Sequence, residues 1–156
     1  MTLPENLEHK LVPFSGLSLE ELYALLRLRS EIFVVEQNCV FLEQDNKDQK
    51  SWHLLITDAG RIAAYSRILP PGLSYSEMSI GRVVTAQFAR GTGLGYVLMQ
   101  RSVEACFELF GEGPIRIGAQ YHLKKFYASI GFEVAGDIYD EDGIDHVEML
   151  RPHKVS

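Results

Sequence analysis

Apolar and polar residues follow two different periods along this chain, and the two periods predict alternating helices and strands. After Ser18, leucines recur with Arg29 at helical spacing, because residues three and four positions apart share one helix face. Ser18 and Glu21 have the spacing of a capping box, which marks the start of that helix. A second apolar stripe predicts a helix over residues 94–110, which Gly111 ends.

Extended segments lie between and after these two helices. Strands are predicted over residues 8–12, 52–57, 61–69, 76–85, 115–119, 132–139 and 144–150. A third helix is predicted over 122–130, with Gly131 just past its end and Phe132 folded back on it. The order is βαβββαβαββ, which predicts a mixed α/β (α+β) fold with a central, mostly antiparallel mixed sheet covered by helices on both faces.

Composition narrows the class of protein further. The chain has 156 residues, 46% of them hydrophobic, which suits a single domain over residues 1–156. No apolar stretch could span a bilayer, and residues 1–6 lack the basic start and apolar core of a signal peptide, so a cytoplasmic protein is expected. The net charge of −6 argues against nucleic acid as a partner. Cys39 and Cys106 form neither a disulfide framework nor a metal-ligand pattern.

A glycine-rich segment connects a predicted strand to the second helix. It reads Arg90-Gly91-Thr92-Gly93-Leu94-Gly95. Free backbone N–H groups and the positive end of a helix dipole meet at such a point and bind phosphate. No Gly-Lys-Ser/Thr follows, so the segment is not a Walker loop, and its third glycine comes one residue too early for a dinucleotide fingerprint.

Arg-x-x-Gly-x-Gly after a strand resembles the pyrophosphate loop of the GNAT superfamily of N-acetyltransferases. Residues 126–132, Phe-Tyr-Ala-Ser-Ile-Gly-Phe, are similar to the second signature of that family, a helix ending in Tyr-x-x-x-Gly-Phe. The strings at residues 28–37, 80–84, 119–123 and 141–146 resemble the ElaA-like branch. The resemblance covers nearly the whole chain and implies a GNAT-like acyl-CoA N-acyltransferase fold.

The resemblance also implies acetyl-CoA as cosubstrate, and no metal is expected because the sequence has no metal-ligand spacing. The pantetheine arm would lie beside the end of the strand before the loop, where a backbone N–H would polarise the acetyl carbonyl. The pyrophosphate would bind the loop N–H groups, and Gln120 stands where many members have an asparagine that contacts the pantetheine. The cofactor residues implied are Val83, Val84, Thr85, Arg90, Gly91, Thr92, Gly93, Leu94, Gly95, Gln120 and Tyr127.

Tyr127 is the candidate general acid. When an amine attacks the thioester, the leaving CoA thiolate needs a proton, and a phenol placed beside the sulfur can supply it. The alternative is a buried aromatic of the helix stripe whose hydroxyl is satisfied by the backbone.

The general base is less marked in the sequence. An attacking ammonium must lose a proton to a carboxylate or an imidazole, directly or through water. Glu36, His53, His122 and His146 are candidates because each lies near the end of a predicted element. His122 opens the helix that carries Tyr127, and Glu36 follows the first helix, so these two are assigned to catalysis. The alternative for each histidine is a structural hydrogen bond.

The sequence therefore predicts transfer of an acetyl group from acetyl-CoA to a primary amine, by direct attack in a ternary complex. The acceptor would be a small-molecule or peptide amine, with no nucleic-acid or membrane partner, and a homodimer through the sheet edges near the C-terminus is one arrangement to test. A non-catalytic acyl-CoA-binding module is the alternative. A nucleotide or sugar-phosphate binder would need a base-recognising or metal site that the pattern lacks. Arg29, on an apolar helix face, is expected to pair with a carboxylate.

Overall fold

The computed structural model describes residues 6–153, in which eight strands alternate with three α-helices. Residues 1–5 and 154–156 lie outside the described residues, and with them the ends of the predicted 1–156 domain and most of the segment considered as a signal peptide. The strands are β1 (Leu7–Pro13), β2 (Trp52–Asp58), β3 (Arg61–Leu69), β4 (Ser79–Thr85), β5 (Ile115–Gln120), β6 (Glu133–Val134), β7 (Tyr139–Glu141) and β8 (Ile144–Arg151), and the helices are α1 (Leu19–Arg29), α2 (Leu94–Phe110) and α3 (Lys124–Ala128).

The strands form two antiparallel sheets that meet at one point. The first has the order β1-β2-β3-β4, and in the second β8 lies between β5 and β6 and also pairs with β7. A parallel bridge between Met78 and Ile115 joins them, and the Arg116 N–H donates to the Met78 carbonyl at 3.1 Å. No ladder holds β4 and β5 together beyond that bridge in the described residues, so the strands separate toward Thr85 and Gln120. The predicted sheet is thus two halves with a cleft between them.

Alternation along β2 explains how the first sheet is covered on both faces, as predicted. Leu54 and Ile56 point to one face, where they pack in a cluster with Leu98 of α2. Leu55 lies between them in sequence and points to the other face, where it packs in a cluster with Leu25 of α1. Because one strand supplies both clusters, α1 and α2 are fixed on opposite sides of the same sheet.

Helix α1 begins at the predicted capping box. The Glu21 N–H donates to Ser18 Oγ at 3.0 Å, and the Ser18 N–H donates to Glu21 Oε1 at 2.8 Å. The helical segment does not end at Arg29 but continues as a π-helix over Ser30–Glu36. The π-helical turns end at Glu36, one of the predicted bases.

Three predicted elements are shorter than the sequence indicated, and the first is the strand predicted over 76–85, which begins only at Ser79. The prediction of one strand over 132–139 is wrong. In β8, Met149 pairs with Val134 and His146 pairs with Tyr139. Residues 135–138 are therefore four residues opposite the two residues 147–148, and they loop out between β6 and β7. The predicted 122–130 helix starts as a 3-10 turn, Tyr121–Leu123, before the short α3. The helix ends at Ala128, two residues before the predicted Ile130, but Gly131 has the expected left-handed conformation and the Phe132 N–H returns to the Tyr127 carbonyl.

A buried cluster of three arginines and three carboxylates connects α1 and the first sheet to residues 37–51. We call it the charge cluster, and its members are Arg29, Arg67, Arg82, Glu43, Asp45 and Asp48. Arg29 is completely buried; its Nε donates to Glu43 Oε1 and its Nη1 to Asp48 Oδ1, both at 2.8 Å. The predicted pairing of Arg29 with a carboxylate is confirmed. The cluster anchors a segment whose regular structure is limited to one 3-10 turn, Asp48–Lys50.

The charge cluster makes the free energy of unfolding depend on pH. Burial alone would raise the pKa of Asp45 and of Asp48, but hydrogen bonds and charge from Arg67 and Arg29 lower both overall. A carboxyl with a depressed folded-state pKa stabilises above its unfolded pKa of about 3.9, and that stability is lost as the pH falls. We expect the free energy of unfolding, measured in urea, to decrease steadily from pH 5 to pH 3. A constant value over that interval would contradict this role.

Candidate functional site

The glycine-rich loop lies directly between the end of β4 and the start of α2. Gly91 and Gly93 have φ values of +78° and +79°, a left-handed conformation that side chains with a Cβ rarely adopt. The Thr92 hydroxyl donates to the Ala89 carbonyl at 2.8 Å and closes the turn. Gly93 is the N-cap residue of α2. The two glycines therefore set the direction from which the chain enters the helix.

This loop presents a run of unpaired donors. In the described residues, the backbone N–H groups from Gly91 to Tyr96 have no hydrogen-bond acceptor, and the first α2 donation back to the loop is from Val97 to the Gly93 carbonyl. Consecutive free N–H groups at the N-terminus of a 17-residue helix attract a phosphate or diphosphate. The geometry thus suits the anion that the sequence predicts here.

The loop, the end of β4 and helix α3 converge at Gly95. A Cβ on Gly95 would lie 3.7 Å from Thr85 Oγ1 and 3.9 Å from Phe126 Cζ. The rings of Phe126 and Tyr127 are 5.2 Å apart between centroids. The structure therefore brings the predicted loop, strand end and tyrosine into one neighbourhood.

Strand β4 is irregular where the acyl group is expected. Its ladder with β3 shifts register between Tyr65 and Arg67, and Arg82 there has φ +51°. A bulge of this kind frees backbone groups from the ladder. Val83 follows Arg82 at the bulge, so its N–H is a candidate donor to a carbonyl oxygen, and the cofactor contacts of Val83, Val84 and Thr85 stay predictions.

Tyr127 lies with its ring in the core. Its side chain is 7% exposed and makes edge contacts with Phe126 and Phe132, whose ring centroids are 5.2 and 6.1 Å away. Burial raises the pKa of the Tyr127 phenol to about 12. The hydroxyl has no hydrogen-bond partner within the described residues, and the residue keeps 7% of its surface exposed. An unpartnered phenol is available to a ligand.

Gln120 ends β5 on the other side of the cleft. Its Nε2 donates to Gln37 Oε1 at 3.2 Å. The amide donor of Gln120 is therefore already engaged, and its contact with pantetheine stays a prediction. Gln37 is a contact that the sequence pattern did not mark.

Glu36, a predicted base, lies at the glycine-rich loop. Its carboxylate accepts from Arg90 Nη1 at 2.5 Å and Nη2 at 2.6 Å, and from Gln87 Nε2 at 3.0 Å. The hydrogen bonds from Arg90 lower the pKa of Glu36 to about 2. A carboxylate with that pKa holds protons weakly, so the free protein presents Glu36 as an ion-pair partner. Its role as a base stays a prediction.

The three candidate histidines lie in different surroundings. His53 is fully buried and bonded through both ring nitrogens, to the Tyr65 hydroxyl at 2.7 Å and to a backbone carbonyl at 2.9 Å, and burial lowers its pKa. His53 therefore forms structural hydrogen bonds, which was the alternative to a catalytic role. His146 Nε2 lies 3.1 Å from Glu141 Oε2, and His146 is the register partner of Gln120. His122 is exposed in the turn before α3, and its catalytic role stays a prediction.

Three further features of the described residues concern metal ligands, long apolar helices and the buried cysteine. Residues 6–153 contain no group of three or more His, Cys, Asp or Glu side chains arranged to hold a metal ion. None of their helices is both long and apolar enough to cross a bilayer. Cys106 is buried in the main core and burial raises the pKa of its thiol to about 12, as expected of a small hydrophobic residue.

Comparison with known proteins places this geometry in a family. The model of the GNAT acetyltransferase domain matches residues 30–151. Protein ElaA of Escherichia coli is 40% identical over 139 residues, which cover 88% of this chain and 91% of ElaA. These matches span both the glycine-rich loop and Tyr127.

Solved structures agree with the sequence matches. An acyl-CoA N-acyltransferase from Pseudomonas aeruginosa is 41% identical, with a TM-score of 0.89 over 93% of this chain and 99% of that one. The crystal structure of E. coli ElaA is 38% identical, with a TM-score of 0.87 over 93% and 99%. A GNAT family acetyltransferase from Elizabethkingia anophelis with acetyl-CoA bound shares the fold at 13% identity, with a TM-score of 0.65 over 96% and 99%. The chain belongs to the GNAT acetyltransferase family, whose members use acyl-CoA for acyl transfer.

Proposed function

We propose that this protein transfers an acetyl group from acetyl-CoA to a primary amine in a ternary complex. One observation carries the proposal: the loop with the free N–H groups from Gly91 to Tyr96 meets, at Gly95 and Phe126, the helix that carries the unpartnered phenol of Tyr127. The loop suits the diphosphate of the donor, and the phenol suits its sulfur. The acceptor is a small-molecule or peptide amine.

The proposed reaction needs no covalent enzyme intermediate. The amine nitrogen forms a bond to the acetyl carbonyl carbon, and the carbonyl oxygen becomes an oxyanion that the Val83 N–H stabilises. The C–S bond then breaks, and the CoA thiolate takes the proton of Tyr127. The proton that the amine loses goes to a base or to solvent, for which Glu36, His122 and His146 are the candidates. Placing both reactants in one cleft supplies much of the rate.

A non-catalytic acyl-CoA-binding module is the second candidate. One observation favours it: Glu36 and Gln120 are already engaged, by Arg90 and Gln37. Binding alone would use the loop and leave Tyr127 as a packed aromatic.

Calorimetric titration with acetyl-CoA and CoA tests the proposal, with NAD and ATP as controls. We expect saturable binding of acetyl-CoA and CoA only, and release of free thiol when acetyl-CoA is supplied with a panel of amines. Failure to bind either CoA ligand would overturn the proposal. Binding without thiol release from any amine would instead support the non-catalytic module.

A further inference from the structure

Two consecutive residues connect the opposite walls of the cleft. Glu36 is paired with Arg90, in the loop that follows β4, while Gln37 is bonded to Gln120, at the end of β5. Two residues later, Cys39 Sγ donates to the Asp142 carbonyl at 3.1 Å. We call residues 36–39 the strap. It crosses the opening that the separation of β4 and β5 creates.

The β4 end of the strap lies at the place where a diphosphate is expected. Arg90 is the residue immediately before the run of free N–H groups, and both of its Nη atoms are used by Glu36. A guanidinium fork binds the paired oxygens of a carboxylate and of a phosphate in the same way. Gln87 adds a third donor to the same carboxylate. In the free protein, Glu36 therefore occupies Arg90 as a phosphate group would.

We propose that the diphosphate of acyl-CoA displaces Glu36 from Arg90 and so opens the strap at its β4 end. Glu36 is then an affinity-determining residue of the cofactor site, one that weakens the binding of acyl-CoA. This inference rests on the proposed use of the loop for acyl-CoA.

The exchange is favoured by the charges involved. The side chains of Arg90 and Glu36 are 44% and 31% exposed, and exposed ion pairs of this kind are weak and sensitive to salt. A diphosphate carries more negative charge than a carboxylate. It would also accept hydrogen bonds from the free N–H groups of the loop, whereas Glu36 accepts none from them. The strap keeps its other contacts, through Gln37 and Cys39, so one end opens while the other stays attached.

A set of variants measures the competition. Glu36→Gln is expected to bind CoA about three- to tenfold more tightly than the wild type in calorimetry, because the competing charge is removed. Glu31→Gln is the matched control, because Glu31 is exposed in the same π-helical segment and has no ion pair among those of residues 6–153. It makes the same charge change and is expected to bind CoA as the wild type does. Arg90→Gln is expected to weaken CoA binding, and adding Glu36→Gln to it should have no further effect.

Hydrogen exchange follows the strap itself. On addition of CoA to the wild type, we expect faster deuterium uptake in peptides that cover residues 36–39 and slower uptake in peptides that cover residues 90–96. The first change should be absent in Glu36→Gln, whose strap is already released. Protection of both segments would overturn the inference.

The failures of this inference and of the proposed function are distinguishable. If the wild type binds no CoA, the proposed function fails. If the wild type binds CoA and Glu36→Gln binds it equally or less tightly, only the displacement of Glu36 is overturned. Tighter binding by Glu31→Gln to the same degree would assign the effect to net charge and would also overturn it.

Discussion

Replacing Tyr127 with phenylalanine is expected to lower kcat about a hundredfold, the usual effect of losing a positioned general acid. The ring contacts with Phe126 and Phe132 do not involve the hydroxyl and stay in place. The hydroxyl has no protein partner within the described residues, so removing it leaves no buried group unsatisfied. The affinity for CoA and the free energy of unfolding should therefore change little.

The measurement is steady-state thiol release together with calorimetry of CoA binding. Tyr121→Phe is the matched control, because Tyr121 is a partly exposed tyrosine in the turn just before α3. It should retain the wild-type kcat. A Tyr127→Phe enzyme with unchanged kcat would remove the acid role and return Tyr127 to the alternative of a packed aromatic. A fall in CoA affinity of the same size as the fall in kcat would instead assign Tyr127 to binding.

The features that could be predicted from the sequence are those that a short stretch of chain determines by itself. The capping box at Ser18 needs only Glu21, and the left-handed turns before α2 need only the glycines at 91 and 93. The end of α3 is similar: Gly131 adopts φ +99°, and the Phe132 N–H reaches back to the Tyr127 carbonyl at 3.2 Å. These local rules located the loop and the tyrosine in the sequence.

The cleft and the strap depend on contacts between distant residues. Glu36 and Arg90 are 54 residues apart, and Gln37 and Gln120 are 83 apart. No periodic pattern relates residues at such separations, because each pair is set by how the two sheets meet at one bridge. The sequence therefore predicted a base role for Glu36 without identifying Arg90, with which it pairs.

Arg29 of the charge cluster shows the same limit of prediction from the sequence. Arg29 on an apolar helix face predicted a buried ion pair, since a lone buried charge is too costly. Its partners, Glu43 and Asp48, lie in a segment without helical or strand periodicity and could not be identified. The sequence indicated that a partner was needed, and only the fold identified which.

Replacing Arg29 with methionine is expected to destabilise the protein by about 3–5 kcal/mol, the usual cost of removing one member of a buried ion pair. The Arg29 side chain is completely buried and donates to Glu43 and to Asp48 through three of its nitrogens. Glu43 and Asp48 keep Arg82 and Arg67 respectively. The cluster would nevertheless change from three charges of each sign to an excess of one buried negative charge.

Urea unfolding of this variant at neutral pH measures the loss. Arg27→Met is the matched control, because Arg27 is exposed on the same helix and lies two residues earlier. Its free energy of unfolding should change by less than about 0.5 kcal/mol. A similarly small change for Arg29→Met would mean that water or local rearrangement compensates the uncovered carboxylates. A large loss limited to Arg29→Met would mean that Arg67 and Arg82 cannot by themselves compensate the buried carboxylates of the segment that carries Glu43 and Asp48.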